Sequence, residues 1–397
     1  MTTMRCGGRW TAWVDGCHHR GAALLITRRG FMASGAGFLL QAGAGVPSRL
    51  IVRSESPADF ETPVPLLDRS WITPNELHFV RSHLRTPAVA LATWRLTVDG
   101  QVERPLSLTL QDLARYRQVE QVVTLECSGN GRAFHDPPVP GIQWEKGAVG
   151  TARWSGVRLA DVLRSAGVTS SGGHLIADGA DTPVSEVPDF VRSIPLEKAL
   201  HADTILATRM NGDPVPLNHG FPLRLIVPGW EGAASTKWLV HLQVSDREFD
   251  GFFMQTAYRI PTRFVAPGSA IGPADTVPYT ELQVKSVFTS PLDEAPVRAG
   301  SRVELRGFAW AGEADIAQVD VSTDSGRTWS VATLGTDRAP YAWRRWVFPW
   351  TPDRSGSYLA MSRATDTRGR TQPTVAAWNP SGYLWNVIDK VRINVEI

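Results

Sequence analysis

A strand-like run, Val119 to Leu125, breaks off into Glu126-Cys127-Ser128-Gly129-Asn130-Gly131-Arg132. β-Branched residues carry the run, and serine, asparagine and two glycines end it, the composition of a strand followed by a tight turn. A chain with this stretch must place one thiol at a strand end, on a loop where backbone can approach a ligand closely. Arg132 lies five residues beyond the thiol, and a guanidinium beside a cysteine favours the thiolate, the form that binds metal. Taken alone, a lone cysteine is more often a buried apolar residue beside an ordinary turn. The rest of the chain decides.

Of three cysteines, Cys6 and Cys17 fall in the first twenty residues, so the folded body has only Cys127 and no internal disulfide. The 397 residues leave room for two or three domains with a substantial core. With 43% apolar and 20% charged residues the composition is that of a soluble globular protein, and a net charge of +2 gives no reason to expect nucleic acid or an acidic membrane as partner. Fifteen tryptophans among many short strands suggest sheet packing or an aromatic pocket.

Residues 1–50 read as an export signal with an N-terminal extension. Thr27-Arg28-Arg29-Gly30-Phe31-Met32 matches the twin-arginine pattern, a weakly apolar Ala/Gly/Phe/Leu run follows, and Ala42-Gly43-Ala44 suits a signal peptidase. The run is too short and too glycine-rich for a stable membrane span. That route carries already-folded proteins, often with a cofactor inside, so a periplasmic protein is expected. Residues 51–70, rich in Pro and Ser, read as a linker.

Residues 71–272 mix short strands with short helices, an α+β pattern. Arg81 and His83 are two apart and share a face in an extended segment, a usable pair for an oxyanion or phosphate. Helices are expected over Ser107–Arg117, Val157–Ala166 and Ser193–Leu200, and strands over Ala92–Val98, His174–Ala177, Ile205–Met210 and Leu239–Val244. His219, Arg224 and Lys237 fall at strand ends and turns, where groups that contact anions are expected. A Pro/Gly-rich stretch sets a boundary near 275. Residues 275–397 then read as all-β, with strands expected over Arg302–Trp310, Ile316–Ser322, Thr328–Leu334, Trp343–Trp350, Ser357–Ala364 and Val391–Ile397. Such spacing indicates an immunoglobulin-like sandwich.

From about residue 70 onward the chain resembles the sulfite oxidase family of molybdopterin enzymes, through Thr73–His83, Thr124–Arg132, Gly147–Trp154, His219–Arg224 and Ser235–Trp238. The resemblance implies a molybdopterin-binding α+β domain followed by an immunoglobulin-like dimerisation domain. It implies that Cys127 is the thiolate ligand to molybdenum, and a soft sulfur donor suits that metal. It assigns Asp181 to the pterin, and His83, His219, Arg224, Ser235, Thr236 and Lys237 to the pterin and its phosphate. Arg81, Arg132, Trp144 and Tyr258 would form the substrate pocket, with the two guanidiniums clamping a small oxyanion. The reaction implied is oxygen-atom transfer to sulfite or a related sulfur compound, with electrons leaving one at a time.

Two departures from the family pattern stand out. Where sulfite oxidases carry Trp-Asn-x-Arg-Gly, this chain has Trp378-Asn379-Pro380-Ser381-Gly382, so one anion contact is missing. No haem attachment motif is visible either, so no haem is expected in this chain and a separate c-type cytochrome is expected to take the electrons. A reductase of sulfoxides or other oxo compounds, a sulfane dehydrogenase-like subunit of a thiosulfate-oxidising complex, and a non-enzymatic exported binding protein are the alternatives. A homodimer through the sandwich follows from the resemblance alone.

Overall fold

The computed structural model describes residues 49–183 and 187–397; the expected export signal and Cys6 and Cys17 lie outside them. The strand that ends at the thiol, Gln118–Glu126, pairs antiparallel along its whole length with Val149–Arg158, from Gln118 opposite Val157 to Glu126 opposite Val149. Val149–Arg158 is buried on nearly every residue, on both faces. A strand covered on both sides does not alternate in polarity, which is why its sequence does not announce it. Ile205–Met210 pairs on its far edge and carries Arg224–Ile226 in turn. A second five-stranded sheet runs Leu106–Leu108, Leu96–Gly100, Leu239–Ser245, His174–Gly179, Arg192–Pro195. The helix Leu159–Ala166 lays Leu159, Val162, Leu163 and Ala166 into the core shared with this sheet, and Gly167 ends it in the left-handed conformation.

Several sequence expectations are corrected here. Residues 51–70 are no linker: Ile51–Ser54 and Asp59–Glu61 pair as strands and Val64–Leu67 is a helical turn. Asp59 and Glu61 are buried there as acceptors, Glu61 taking the amides of Glu145 and Gly147 at 3.0 and 2.8 Å. The helix expected over Ser107–Arg117 shrinks to Leu110–Leu113, started by a Thr109–Asp112 capping box. Ser193–Leu200 divides into the strand Arg192–Pro195 and the turn Leu196–Ala199, because Pro195 ends strand pairing and sits well just before a helix. The strand expected over Ala92–Val98 begins only at Leu96.

The C-terminal residues form two facing sheets. Lys285–Ser290, Val303–Trp310, Arg344–Trp350 and Thr333–Leu334 make one; Ala295–Arg298, Asp389–Glu396, Gly356–Asp366, Ile316–Ser322 and Ser330–Val331 make the other. Phe288, Leu305, Trp346, Val319, Ala360 and Ile393 fill the space between them. This is the expected sandwich, with Lys285–Ser290 and Ala295–Arg298 as strands the sequence reading did not anticipate. It packs directly against the thiol strand: Thr124 N donates to Tyr341 O (2.9 Å), and Trp343 N to Thr124 Oγ1 (2.8 Å).

Glycine is required at position 131. Its φ is +96°, and an added Cβ would lie 2.4 Å from the Trp385 ring. Gly131→Ala is expected to cost about 2 kcal/mol of stability, read as a lowered denaturation midpoint at unchanged slope.

Candidate active site

The thiol loop is a turn closed by its own backbone. Cys127 N donates to Ala148 O (2.9 Å), Asn130 N to Cys127 O (2.8 Å) and Arg132 N to Gly129 O (2.9 Å). The Asn130 side chain clasps both sides, donating to Glu126 Oε1 (2.9 Å) and accepting from Ala148 N (3.0 Å). Cys127 therefore leaves the sheet in a fixed direction, half-buried, at the wall of a narrow cleft.

That cleft also collects Arg81, His83, Asp181, His219, Arg224, Ser235, Lys237 and Tyr258, drawn from distant parts of the chain. Of the remaining candidates, Arg132, Trp144 and Thr236 do not line it. Trp144 is wholly buried in the core against which Cys127 packs. Arg132 lies over Gly129, with its Nε donating to Ser381 O and its Nη1 to Ile142 O, both at 2.8 Å. Thr236 is buried with its hydroxyl unpartnered. The cleft adds residues the sequence reading passed over, among them His78, Ser82, Ser128, Phe190 and Asn218. His78 and Ser82 lie inside the motif Thr73–His83, and Asn218 precedes His219, so adjacency could have flagged them. Phe190 carries no such signal; only the fold stacks it on the His83 ring, 3.9 Å between centroids.

The charges in the cleft are arranged for an anion. Arg224 is buried, donates only to the backbone carbonyls of His219 (3.0 Å) and Ser235 (3.3 Å), and lies over the Trp154 ring. Lys237 Nζ donates to Ser82 Oγ (2.7 Å) and Asn218 O (3.1 Å). Neither forms an ion pair among the described residues. Burial alone pulls Arg224 down to about 9 and, helped by repulsion from Arg224, pulls Lys237 well below its ordinary range. Such cations are costly unless an anion meets them. Asp181, driven up to about 6 chiefly by burial, offsets them only in part.

In the same cleft, burial pushes the Cys127 thiol up, and Arg81 and Arg132 offset only part of that rise. Arg81 is held by Asp59 Oδ1 at 3.1 Å and by the Ser82 carbonyl. Tyr258, which a surface position would have left exposed, is buried at φ +60°, its oxygen 2.6 Å from His83 Nε2. Burial, with Arg81, Lys237 and Arg192 beside it, keeps His83 neutral. A single proton therefore joins the two rings. Either Tyr258 donates to Nε2, or Nε2–H donates to the phenol oxygen and the hydroxyl hydrogen is free for a ligand.

Residues 83–253 match the oxidoreductase molybdopterin binding domain family, and residues 277–396 match the Mo-co oxidoreductase dimerisation domain. Over 369 residues the chain is 39% identical to the sulfite oxidase of Gallus gallus, across 86% of this chain and 78% of that one. The chain belongs to the sulfite oxidase family. It is 36% identical to the mitochondrial sulfite oxidase of Mus musculus, across 87% of this chain and 66% of that one, and so spans about two thirds of that protein's length. Its fold is also that of the sulfane dehydrogenase SoxCD from Paracoccus pantotrophus: TM-score 0.76, 29% identity, 92% of this chain and 96% of that one.

The family's molybdopterin fits the cleft on this chain's own terms. Among the described residues no three His, Cys, Asp or Glu side chains converge on a metal position, and the cleft is lined by one thiol, that of Cys127. The two unpaired cations and the neutral His219, all lining the cleft, supply what a buried phosphate needs.

His78 gives the site an acid limit. The ring is fully enclosed, and burial lowers it to about 4. An unfolded chain takes up that proton near pH ~6.5. The stabilisation is therefore whole above about pH 6.5 and is lost as pH falls towards about 4, roughly 3 kcal/mol for this ring. Melting temperature is expected to fall across that window, and His78→Gln to flatten the fall.

Proposed function

We propose that this chain is a periplasmic molybdopterin-dependent oxidoreductase that transfers an oxygen atom to sulfite or a related sulfur compound, passing electrons to a separate c-type cytochrome. The observation that carries this reading is that one cleft is lined both by a thiol and by buried cations that form no ion pair among the described residues. Bound molybdenum would supply the two-electron oxygen-atom chemistry.

The chain's own residues do the rest. Cys127 would hold the metal as thiolate; burial opposes that form, and Arg81 and Arg132 offset part of the opposition. Arg224, Lys237, His219 and Ser235 would grip the phosphate, and His83 and Asp181 the pterin. Arg81 and Tyr258 would orient substrate, while the aromatic wall of Phe190, Phe253 and Tyr258 excludes water from it. The twin-arginine pattern supports export, and the match of residues 277–396 to a dimerisation domain supports a homodimer. Among the described residues no helix is long and apolar enough to cross a membrane.

One observation favours a second reading of the substrate. Ser381 offers only its backbone carbonyl, and that carbonyl occupies Arg132. Arg81 is meanwhile paired with Asp59. The two-guanidinium clamp expected from the sequence is not assembled in the cleft, which suits a less charged substrate such as a sulfane sulfur or a sulfoxide. An anaerobic screen of sulfite, sulfane and sulfoxide compounds on molybdenum-replete enzyme tests both readings, following cytochrome c reduction or dye oxidation. Turnover of a sulfur compound with molybdenum present is expected; no turnover of any sulfur compound would remove the reading.

A further inference from the structure

The C-terminal sandwich does more than pack against the molybdopterin half. It takes hold of the thiol loop at three successive points. Lys285 Nζ donates to Glu126 Oε1 (2.7 Å) and to Asn130 O (3.1 Å), and Trp310 Nε1 donates to Glu126 Oε2 (2.8 Å). Leu384 N donates to Ser128 O (2.9 Å). The Ser381 carbonyl accepts from Arg132 (2.8 Å). The residue before the thiol, the residue after it and the loop's guanidinium are thus each fixed by the sandwich or its closing segment.

The first grip is the most telling. Glu126 and Lys285 are only 6% and 5% exposed. A buried ion pair contributes little to stability against an apolar pair of similar shape; what it can add is geometry. This one is saturated: both Glu126 oxygens accept, and Lys285 reaches across to the turn itself. Its anchor is the last paired residue of a rigid strand, one bond from the cysteine backbone. The loop cannot shift without breaking it.

We infer that Lys285 is a positioning residue, and that the sandwich sets through Glu126 where the Cys127 sulfur points. The inference rests on Cys127 being the ligand to molybdenum. A displacement of about 1 Å at such a position can cost about a hundredfold in rate without touching the substrate.

The test compares holoenzymes at equal molybdenum content. Glu126→Gln/Lys285→Met removes both charges at nearly constant volume, and the comparison is made well below the melting temperature of both proteins, so that a loss of stability is not read as a loss of positioning. The thiolate-to-molybdenum absorption band should shift or weaken, and kcat should fall about tenfold or more. Lys285→Arg should restore both. Lys198→Met/Glu313→Gln is the control, because that 2.5 Å pair also joins the two halves but does not touch the thiol loop; its band and kcat should match the parent. Should the double variant not accumulate, Trp310→Phe removes a single donor to Glu126 and should move the band in the same direction. A parental band and kcat in the Glu126/Lys285 variant, or an equal change in the control, would overturn the inference. Cys127→Ser separates this from failure of the ligand assignment: a band unaltered by that substitution removes the ligand reading and the inference with it, whereas a band lost there and intact in the pair variant removes the inference alone.

Discussion

In Cys127→Ser, turnover falls by more than about a hundredfold while the protein stays folded. Loss of an outer partner of a metal ligand costs about 10- to 100-fold, and loss of the ligand itself exceeds that. The fold should tolerate the change because the loop is closed by backbone bonds and by Asn130, none of which uses the sulfur. Serine is also close in size, so the neighbouring core around Trp144 and Leu125 keeps its packing. Steady-state assay beside a melting curve checks both halves of the statement. Loss of rate together with a collapse in melting temperature would mean the thiol serves the core instead.

Arg224→Met has effects of opposite sign with and without cofactor. In the loaded protein it removes a charge-assisted contact to a buried anion, worth about 2 kcal/mol, so the cofactor should dissociate about 30-fold more readily. In the cofactor-free protein Arg224 is a buried cation answered only by two carbonyls and the Trp154 ring. Replacing it there by an apolar side chain of similar length should raise the melting temperature. Lys237→Met is expected to follow the same pattern, since it too lacks an acidic partner within ion-pair distance. Melting curves of both forms, with molybdenum retention after gel filtration, decide it. A variant that is destabilised equally in the two forms would mean that the cations serve the fold and not a ligand.

How much of this was legible in the sequence varies with the physical signal. The thiol at a strand end was legible, because β-branched residues followed by Ser-Gly-Asn-Gly leave few alternatives. So was the sandwich, whose strands are separated by recognisable turns. The strand Val149–Arg158 was not, because burial on both faces erases alternation. Residues 51–70 read as linker because Pro and Ser recur in them, yet Asp59 and Glu61 are anchored by partners more than twenty residues away. The site residues were legible as chemical types, and eight of them beside Cys127 do converge on one cleft. What sequence could not give was which groups were already occupied. Arg132 looked free for substrate, and the fold spends it on the carbonyls of Ile142 and Ser381. Lys285 carried no signal, because the strand Lys285–Ser290 was not anticipated, and the fold buries it against the residue preceding the thiol.

The central claim is that the Cys127 sulfur is bonded to molybdenum. X-ray absorption at the molybdenum edge, on wild-type protein and Cys127→Ser at matched metal content, measures it most directly. The account predicts that the variant loses one sulfur scatterer and gains a lighter one in its place. Identical sulfur shells in the two proteins would contradict it.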